Sequence, residues 1–486
     1  MTDEIELKLD LAPAAVAALK TAGLLPGSPP AVRQRSIYFD TPDHDLAAAG
    51  LSLRIRQTAE KRIQTVKEAT SKAAGLFARP EWEKPVAADR PDLDDTPLPA
   101  RLGAKARALA PAFTVSVRRR TWLIDEAGAR IELVIDQGAI LAAGRRIPVS
   151  ECELELEAGP PAALFSLARR LNDAAPLALG VTTKAERGYR LLAAAAAAYK
   201  AEPVALDEGM TAGQAFQAVA LSCIRQFRLN EDLVLATRGP EPLHQARVAL
   251  RRLRSAFSIH RALLDEDAAA LRDGLKWLAA TLGEARDLDV LLDRAPDGPL
   301  LAQIRAAREA AHDRAAAALG SPRARTLMLD LAAWLHHGDW LTDPRTRAAR
   351  DAPARLFASS ALARYRRKVV RAGSGLATME DEARHALRKD AKKLRYAADF
   401  FAPLFAEEAV SKRRRRFAAA LEDLQDQLGD LNDLSAAPAL LDRIGIDAAP
   451  ARAALVPQHA RKPLLKAASR AYRNLAAAKR FWDKPA

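Results

Sequence analysis

Through the first 190 residues, hydrophobic and polar positions alternate in short runs broken by turn residues, the two-residue period of strands. The runs Glu4–Leu9, Leu51–Gln57, Arg62–Lys67, Thr114–Ile124, Arg130–Gln137 and Pro148–Glu157 predict strands. Helical spacing is confined there to Pro13–Ala22, Leu98–Ala110 and Pro161–Asp173. Many antiparallel strands with a few small helices predict an α+β domain built as a barrel or a strongly curved sheet. Between 192 and 210 an alanine run gives way to Pro203 and Gly209, which marks a helix end and a domain joint. From Thr211 onward the period becomes that of long Ala/Leu/Arg helices, with Pro and Gly restricted to loops near 239–242, 297–299, 320–322 and 373–375. The expected organisation is a β-rich domain over 1–200 and an all-α domain over 211–480, the latter made of two units at roughly 211–345 and 350–480.

Sorting each strand by parity separates chemistry from packing, because alternate side chains face opposite sides. Glu4, Glu6 and Lys8 share a face, as do Arg54 with Arg56, Thr65 with Lys67, Glu81 with Glu83, Arg118 with Arg120, Glu132 with Asp136, and Glu151, Glu153, Glu155 and Glu157. The opposite faces are largely apolar: Ile5, Leu7 and Leu9; Leu51, Leu53 and Ile55; Ile131, Leu133 and Ile135; Leu154 and Leu156. Two arrangements fit this pattern equally: a sheet closed on itself with a charged lining, or an open antiparallel sheet with one wet face. A closed lining would bring carboxylates that suit Mg²⁺ or Mn²⁺ together with cations that clamp phosphoryl oxygens. That combination suits metal-assisted cleavage of a phosphoanhydride.

Charge narrows the partners. The chain carries 75 Lys+Arg against 61 Asp+Glu, a net of +14. Residues 1–200 hold 28 basic and 25 acidic side chains, and 201–486 hold 47 and 36, so most of the surplus sits in the helical part. A surplus of this size predicts polyanionic partners. Aromatic residues are only 5% of the chain, few for stacking bases, which argues against nucleic acid. Cys152 and Cys223 stand in no paired or metal-ligand spacing. The first residues, MTDEIELKLD, lack a signal-peptide pattern, and no apolar run is long enough to span a bilayer. The expectation is a cytoplasmic protein with no membrane partner.

Nine short motifs then fall in register with one family. Glu4-Ile5-Glu6-Leu7-Lys8 opens the series, followed by Tyr38-Phe39-Asp40-Thr41-Pro42-Asp43, Leu53-Arg54-Ile55-Arg56, Thr65-Val66-Lys67 and Glu81-Trp82-Glu83. Arg118 with Arg120, Glu132 with Asp136 and Gly138, Glu151 to Glu157, and Lys184-Ala185-Glu186-Arg187-Gly188-Tyr189 continue it. Over about 1–195 the chain resembles the CYTH family, the triphosphate tunnel metalloenzymes. The resemblance implies an eight-stranded antiparallel tunnel that hydrolyses a triphosphate with Mg²⁺ or Mn²⁺. It implies metal ligands at Glu4, Glu6, Glu153 and Glu155, and phosphate clamps at Lys8, Arg54, Arg56, Lys67, Arg118, Arg120 and Lys184. It further implies catalytic roles for Lys8 and for Glu81 or Glu83, one of which would orient the attacking water. The family usually has Ser before the last lysine; Thr183 keeps a hydroxyl there. The same family includes adenylate cyclases and thiamine triphosphatases, but no segment for reading an adenine or a thiamine is evident.

The helical part contains an internal repeat. His244-x2-Arg247-x3-Arg251-Arg252-x-Arg254 recurs as His385-x2-Arg388-x3-Lys392-Lys393-x-Arg395, and each copy is followed by Leu-Gly-x3-Asp at Leu282–Asp287 and Leu428–Asp433. At about 100° per residue, offsets 0, 3, 7 and 10 fall within an arc of roughly 80°. His244, Arg247, Arg251 and Arg254 therefore form one stripe and His385, Arg388, Lys392 and Arg395 its twin, with Arg252 and Lys393 flanking. A charge stripe is most often a solvated face. Stacked like charges cost helix stability, however, unless an anion or buried acids offset them. A metal site at the two histidines is disfavoured by the surrounding cations, and the remaining histidines read as structural. Over roughly 211–480 this duplicated motif resembles the CHAD domain, which implies two helical bundles around a basic groove that binds inorganic polyphosphate. Asp287 and Asp433 are expected to anchor the basic residues, and no carboxylate cluster of metal-site type is evident, so this part should bind and not cleave. The combined expectation is an inorganic triphosphatase joined to a polyphosphate-binding domain. The rivals are a non-catalytic polyphosphate-binding protein and a nucleotide cyclase or organic triphosphatase.

Overall fold

The computed structural model describes residues 2–12, 14–68, 74–295, 298–446 and 461–483. The side chains of residues 2–4, 78, 79 and 299 lie outside that description, and so does His459. The chain divides into two compact units, 1–199 with 320–337, and 200–319 with 338–486. Among the described residues, no helix is long and apolar enough to cross a membrane.

The first unit is built on strands β1 (Thr2–Leu11), β2 (Val32–Asp40), β3 (Leu51–Gln57), β4 (Arg62–Glu68), β5 (Leu76–Pro85), β6 (Ala110–Glu126), β7 (Ala129–Ala142), β8 (Arg145–Ala158) and the short β9 (Leu177–Leu179). Helices α1 (Ala15–Thr21), α2 (Asp45–Ala48), α3 (Leu98–Leu102), α4 (Ala162–Ala174) and α5 (Lys184–Leu192) accompany them. The antiparallel order is β5-β4-β3-β2-β6-β7-β8-β1, and β1 pairs with β5, so eight strands close into a ring. β9 adds to the far end of β1 through Leu9–Leu11. Closure decides between the two arrangements that alternation left open: the charged faces line an interior.

The outer wall is apolar, as the parity pattern requires. Leu7, Leu9, Ile131, Leu133, Ile135, Cys152 and Leu154 are at most 1% exposed. They share this wall with α4, which contacts β1, β6, β8 and β9 and buries Leu164, Phe165, Leu167 and Leu171. Ile37, Phe39, Leu51, Leu53, Ile55 and Val66 form a second outer cluster with Leu46 of α2 and Leu98 and Leu102 of α3. α10 (Pro322–His337), which sequence alone groups with the helical part, packs on α4 and β9.

One end of the barrel interior is apolar too. Tyr38, Phe113, Val115, Val117, Ile140 and Val149 cluster there with Ala185, Tyr189 and Leu192 of α5. Tyr38 stacks on Phe113 at 4.6 Å between centroids, and Tyr189 meets Phe113 edge-on at 5.1 Å. Gly188 permits this approach: a Cβ there would lie 2.1 Å from the Phe113 ring. Asp40, in the Tyr38–Asp43 motif, accepts from the Leu46 and Ala47 amides at 2.8 and 3.0 Å and from the Tyr189 hydroxyl at 2.8 Å. That motif therefore holds the start of α2 and the end of the chain's β-rich part in place.

The second unit contains α6 (Ala212–Thr237), α7 (Pro240–Ile259), α8 (Ala268–Arg294), α9 (Pro299–Leu319), α11 (Arg347–Arg350), α12 (Ala354–Gly373), α13 (Asp381–Phe400), α14 (Glu408–Arg443) and α15 (Arg461–Ala477). A capping box at Thr211 and Gln214 starts α6, and Pro240 opens α7 at a position whose amide needs no partner. α7 and α13 carry the two basic stripes and contact each other. Leu243, Leu250, Leu253 and Phe257 on the other side of α7 are buried, as are Leu387, Leu394 and Ala397 of α13.

Candidate functional site

Cross-strand partners share a face, so the lining of the barrel can be followed strand by strand from its register. Arg54 sits opposite Tyr38 and Thr65; Thr65 opposite Glu83; Lys67 opposite Glu81. On the other wall Arg119 sits opposite Asp136, and Asp136 opposite Glu151. One step along, Glu153 faces Lys8, and next to them Glu132, Glu155 and Glu6 stand side by side on three adjacent strands. Apart from Asp136 and Glu151, these side chains line one cavity of about 420 Å³, which also takes in Arg56, Lys61 and Lys184.

Most residues expected from sequence meet there: Glu6, Lys8, Arg54, Arg56, Lys67, Glu81, Glu83, Glu153, Glu155 and Lys184. Glu4 has its backbone on β1, but its side chain lies outside the described set. Arg118 and Arg120 need correction. Neither lines the cavity; Arg118 is exposed in an outer concavity beside Arg33, and Arg119 takes the interior position. Polar parity does not mark the interior on this strand, because its inward positions include the apolar Phe113, Val115 and Val117. They point inward and build the apolar end of the barrel, so the polar position that follows them, Arg119, is also inside.

The charges are tightly compensated. Lys8 donates to Glu6 at 2.9 Å and pairs with Glu153. Lys184 lies 2.7 Å from Asp136 and 3.1 Å from Glu153, and also pairs with Glu151. Arg119 donates two hydrogen bonds to Asp136, at 2.9 and 2.6 Å, and a third to Glu153 at 3.0 Å. Burial alone would raise the Glu153 carboxyl, but Lys184, Lys8 and Arg119 outweigh it and hold it well below the usual carboxylate range. Burial likewise works against the Lys8 ammonium, and Glu153 and Glu6 overcome it. Glu83 accepts from Thr65 Oγ1 at 2.8 Å and Arg56 at 3.3 Å, which keeps its carboxyl low despite burial. Lys67 pairs with Glu81 at 3.0 Å. Glu132 differs: burial raises its carboxyl against the opposing pull of Arg119, and no hydrogen bond or ion pair is found for it among the described residues.

Two carboxylate groups can be tested as a cation site. Asp136, Glu151 and Glu153 offer oxygens within 4.8 Å of one another, but the Lys184 ammonium already sits among all three. The row Glu132–Glu155–Glu6 is the better fit. Like charges directly opposite on neighbouring strands are destabilising, and this row faces the open cavity with hard oxygen donors of the kind Mg²⁺ and Mn²⁺ take. Glu132, whose role sequence left between ligand and neutraliser, belongs to it. The signal was present in the spacing of Glu132 and Asp136, but their partners across β8 became visible only with the register.

In the helical unit, His244, Arg251 and Arg252 of α7 and Arg388, Lys392 and Arg395 of α13 line one groove of about 980 Å³. Arg251 donates to the Tyr396 hydroxyl at 2.7 Å, which ties α7 to α13. The Leu-Gly motif lies beside the stripe in both copies: a Cβ at Gly283 would lie 3.7 Å from the Arg247 guanidinium and one at Gly429 3.8 Å from that of Arg388, so each glycine neighbours the matching arginine of its copy. Arg247 pairs with Asp287 at 3.3 Å, and Asp433 is the acid beside Arg388. Four expected residues are not part of the groove lining. Arg247 is turned to Asp287, Arg254 is exposed, Lys393 pairs with Asp390 at 3.2 Å, and His385 bonds Asn432 at 2.6 Å in a separate small pocket. A single stripe 80° wide is broader than what the groove admits. Arg414 joins the lining instead, from the Lys412–Arg416 run. Burial, followed by Arg251, Arg388 and Arg247, pushes the Lys392 ammonium down to about 6.

The residue exchange that discriminates the two parities is direct. Arg119→Ala should reduce turnover of a triphosphate by about tenfold or more, the equivalent of one charge-assisted contact, whereas Arg118→Ala should leave it within about twofold. Steady-state phosphate release measures both. Equal losses would return Arg118 to the site.

Comparison with known proteins agrees with this geometry. The inorganic triphosphatase of Haemophilus influenzae is 31% identical over 208 residues, which is 39% of this chain and 55% of that protein, so the chain spans about half the length of this relative. An uncharacterised protein of Mycobacterium tuberculosis is 28% identical over 435 residues, 81% of this chain and 80% of that one. The crystal structure of the CHAD domain from the plant Ricinus communis matches with 31% identity and a TM-score of 0.50, covering 58% of this chain and 98% of that domain. With residues 2–189 matching the CYTH domain family and 218–442 the CHAD domain family, the chain belongs to both, a CYTH barrel followed by a CHAD helical domain.

Proposed function

We propose that the barrel hydrolyses inorganic triphosphate with Mg²⁺ or Mn²⁺ and that the helical groove binds inorganic polyphosphate. The observation that carries the first half is the convergence of Lys8, Arg54, Arg56, Lys67, Arg119 and Lys184 with the side-by-side carboxylates of Glu132, Glu155 and Glu6 in one cavity. The cations hold phosphoryl oxygens and neutralise charge as it shifts in the transition state. Glu6 and Glu155, with Glu132 beside them, would hold the metal, which when bound neutralises the phosphates and polarises the terminal phosphoryl group. Glu81 and Glu83 are already paired with Lys67, Arg56 and Thr65, so they act as fixed acceptors that orient a water in line with the terminal phosphorus. Tyr38 is the one aromatic ring among the cavity's described lining residues, and it is stacked on Phe113. That favours a plain phosphate substrate over a nucleotide. The name of the Haemophilus influenzae relative supports the same substrate.

The groove reading rests on buried guanidinium donors left without acceptors. The Nε atoms of Arg252, Arg388 and Arg414 are buried without a hydrogen-bond acceptor, and all three side chains line the groove. A buried guanidinium donor left unmade is costly, and phosphoryl oxygens satisfy it.

The test is phosphate release from tripolyphosphate, ATP and long-chain polyphosphate with Mg²⁺, Mn²⁺ or chelator, beside binding of polyphosphate to the full chain. Metal-dependent cleavage of tripolyphosphate in preference to ATP is the expected result. A cyclic nucleotide product from ATP would establish the cyclase instead, and binding with no cleavage of any of the three would leave a phosphate-binding protein.

A further inference from the structure

The groove is not uniformly basic. Opposite the arginines and Lys392, α14 presents Asp426 and Asp430 to the same cavity, with Glu422 one turn earlier on the same face. Arg395 answers Glu422 at 3.1 Å. Among the described residues, no hydrogen bond or ion pair is found for Asp426 or Asp430. Burial, followed by the negative charges of Glu422, Asp430 and Asp423, raises the Asp426 carboxyl, and Arg395 only partly opposes it.

The acids belong to one copy of the repeat. Aligning Leu282-Gly283 with Leu428-Gly429 sets Asp426 against Ala280, Asp430 against Glu284 and Glu422 against Lys276. Glu284 is answered by Arg314 at 3.2 Å. The basic stripes are duplicated, while Asp426 and Asp430 of α14, for which no ion pair is found among the described residues, have no unpaired acidic counterpart at the aligned positions of the other copy. A naked phosphate chain lying on Arg388 and Lys392 would run close to these carboxylates and be repelled by them. Yet a ligand is called for in this cavity: Arg252, one of its lining residues, is 6% exposed and its Nε has no acceptor. Both demands are met by a polyanion that carries its own cations. Mg²⁺ is typically bound through one or two carboxylates plus phosphate oxygens and retained waters, without a preformed protein cage. Among the described residues the carboxylates of this unit form no such cage.

We propose, on the polyphosphate reading above, that the groove takes polyphosphate as its divalent-cation salt: the side chains of Arg252, Arg388 and Lys392 engage phosphoryl oxygens, and Asp426 and Asp430 engage Mg²⁺ ions already bridging the chain. The acids then act as a selector. They disfavour bare polyanions that carry only monovalent counterions and favour a phosphate polymer dense enough to hold divalent ions.

The experiment is fluorescence anisotropy of end-labelled long-chain polyphosphate with the full chain, at one ionic strength, in Mg²⁺ or in chelator. Electrophoresis after each titration confirms that the probe keeps its length. For the wild type, Mg²⁺ should tighten binding by about tenfold. Asp426→Asn/Asp430→Asn should bind more tightly than wild type in chelator and gain nothing from Mg²⁺. Wild-type binding that Mg²⁺ weakens or leaves unchanged overturns the proposal, and so does a double variant that keeps the gain; in both cases polyphosphate binding itself stands. An absence of binding in either buffer sinks the polyphosphate reading and this proposal together.

Discussion

Glu153→Gln should lower phosphate release from tripolyphosphate by about a thousandfold and lower the melting temperature. The stability loss should be partly recovered when tripolyphosphate is added. Glu153 is the common counter-charge of Lys8, Lys184 and Arg119. Removing one partner of a buried ion pair costs about 3–5 kcal/mol, because the other charge is left buried. Here the three cations keep Glu6, Asp136 and Glu151, so the low end of that range, about 3 kcal/mol, is expected. The activity loss is larger because the cations lose their fixed positions. A misplacement of about 1 Å in groups that position a substrate costs on the order of a hundredfold, and a diminished anionic pole at Glu153 weakens the adjoining metal row as well.

The pH dependence has a defined sign. The Glu153 carboxyl is held far below its unfolded value, so its stabilising contribution is complete above the unfolded carboxylate range and is lost as pH falls through the folded pKa. The gap in melting temperature between wild type and Glu153→Gln should therefore be constant from about pH 5.5 to 8 and narrow only in strong acid. Triphosphate should raise the melting temperature of the variant more than that of the wild type, since it replaces the missing negative charge. Scanning calorimetry with and without tripolyphosphate measures this. A variant with normal stability and unaltered turnover would show that Glu153 is not the hub of the cavity.

How far this site could be read from sequence depended on whether one periodicity held along a strand. On β1, β3, β7 and β8 the polar parity is interior and the apolar parity exterior, so Glu6, Lys8, Arg54, Arg56, Glu132 and Glu153 could be assigned by counting. On β6 the interior changes from Phe113, Val115 and Val117 to Arg119 within one strand, because the barrel is apolar at one end and charged at the other. Counting from the apolar run then selects the wrong arginines. The row Glu132–Glu155–Glu6 needed register, which sequence does not carry. In the helical unit the helix period found the stripe but not its limits. Which residues reach the groove is set by the contact between α7 and α13, which admits Arg251 and Lys392 and leaves Arg254 in solvent. The placing of Arg247 beside Gly283 and of Arg388 beside Gly429 also needed the fold, because 39 residues separate the stripe's histidine from the glycine in one copy and 44 in the other.

Replacing Arg251, Arg388 and Lys392 together by Ala should weaken polyphosphate binding by at least a thousandfold, and the single change Lys392→Met should abolish a proton uptake that accompanies binding at pH 8. Each charge-assisted hydrogen bond contributes about 1.5–3 kcal/mol, so three lost contacts exceed the roughly 4 kcal/mol that a thousandfold represents. The proton follows from the crowding of the stripe. In the empty groove burial and then the charges of Arg251, Arg388 and Arg247 press the Lys392 ammonium down to about 6, so near pH 8 it is uncharged. A polyanion reverses the balance and returns the lysine toward its ordinary range. Binding then takes up close to one proton, and affinity falls by up to tenfold per pH unit as pH rises above about 6. His244 shares the groove, but burial lowers it below its ordinary 6.5, so at pH 8 it contributes little. The same linkage acts on folding. Between about 6 and the unfolded lysine value the unfolded chain holds the extra proton, so the empty protein gains stability with rising pH over the range in which the complex weakens. Titration calorimetry in two buffers of different ionisation enthalpy counts the protons. An uptake that survives in Lys392→Met would move the titrating group elsewhere, and its absence in the wild type would mean that Lys392 is charged before the anion arrives.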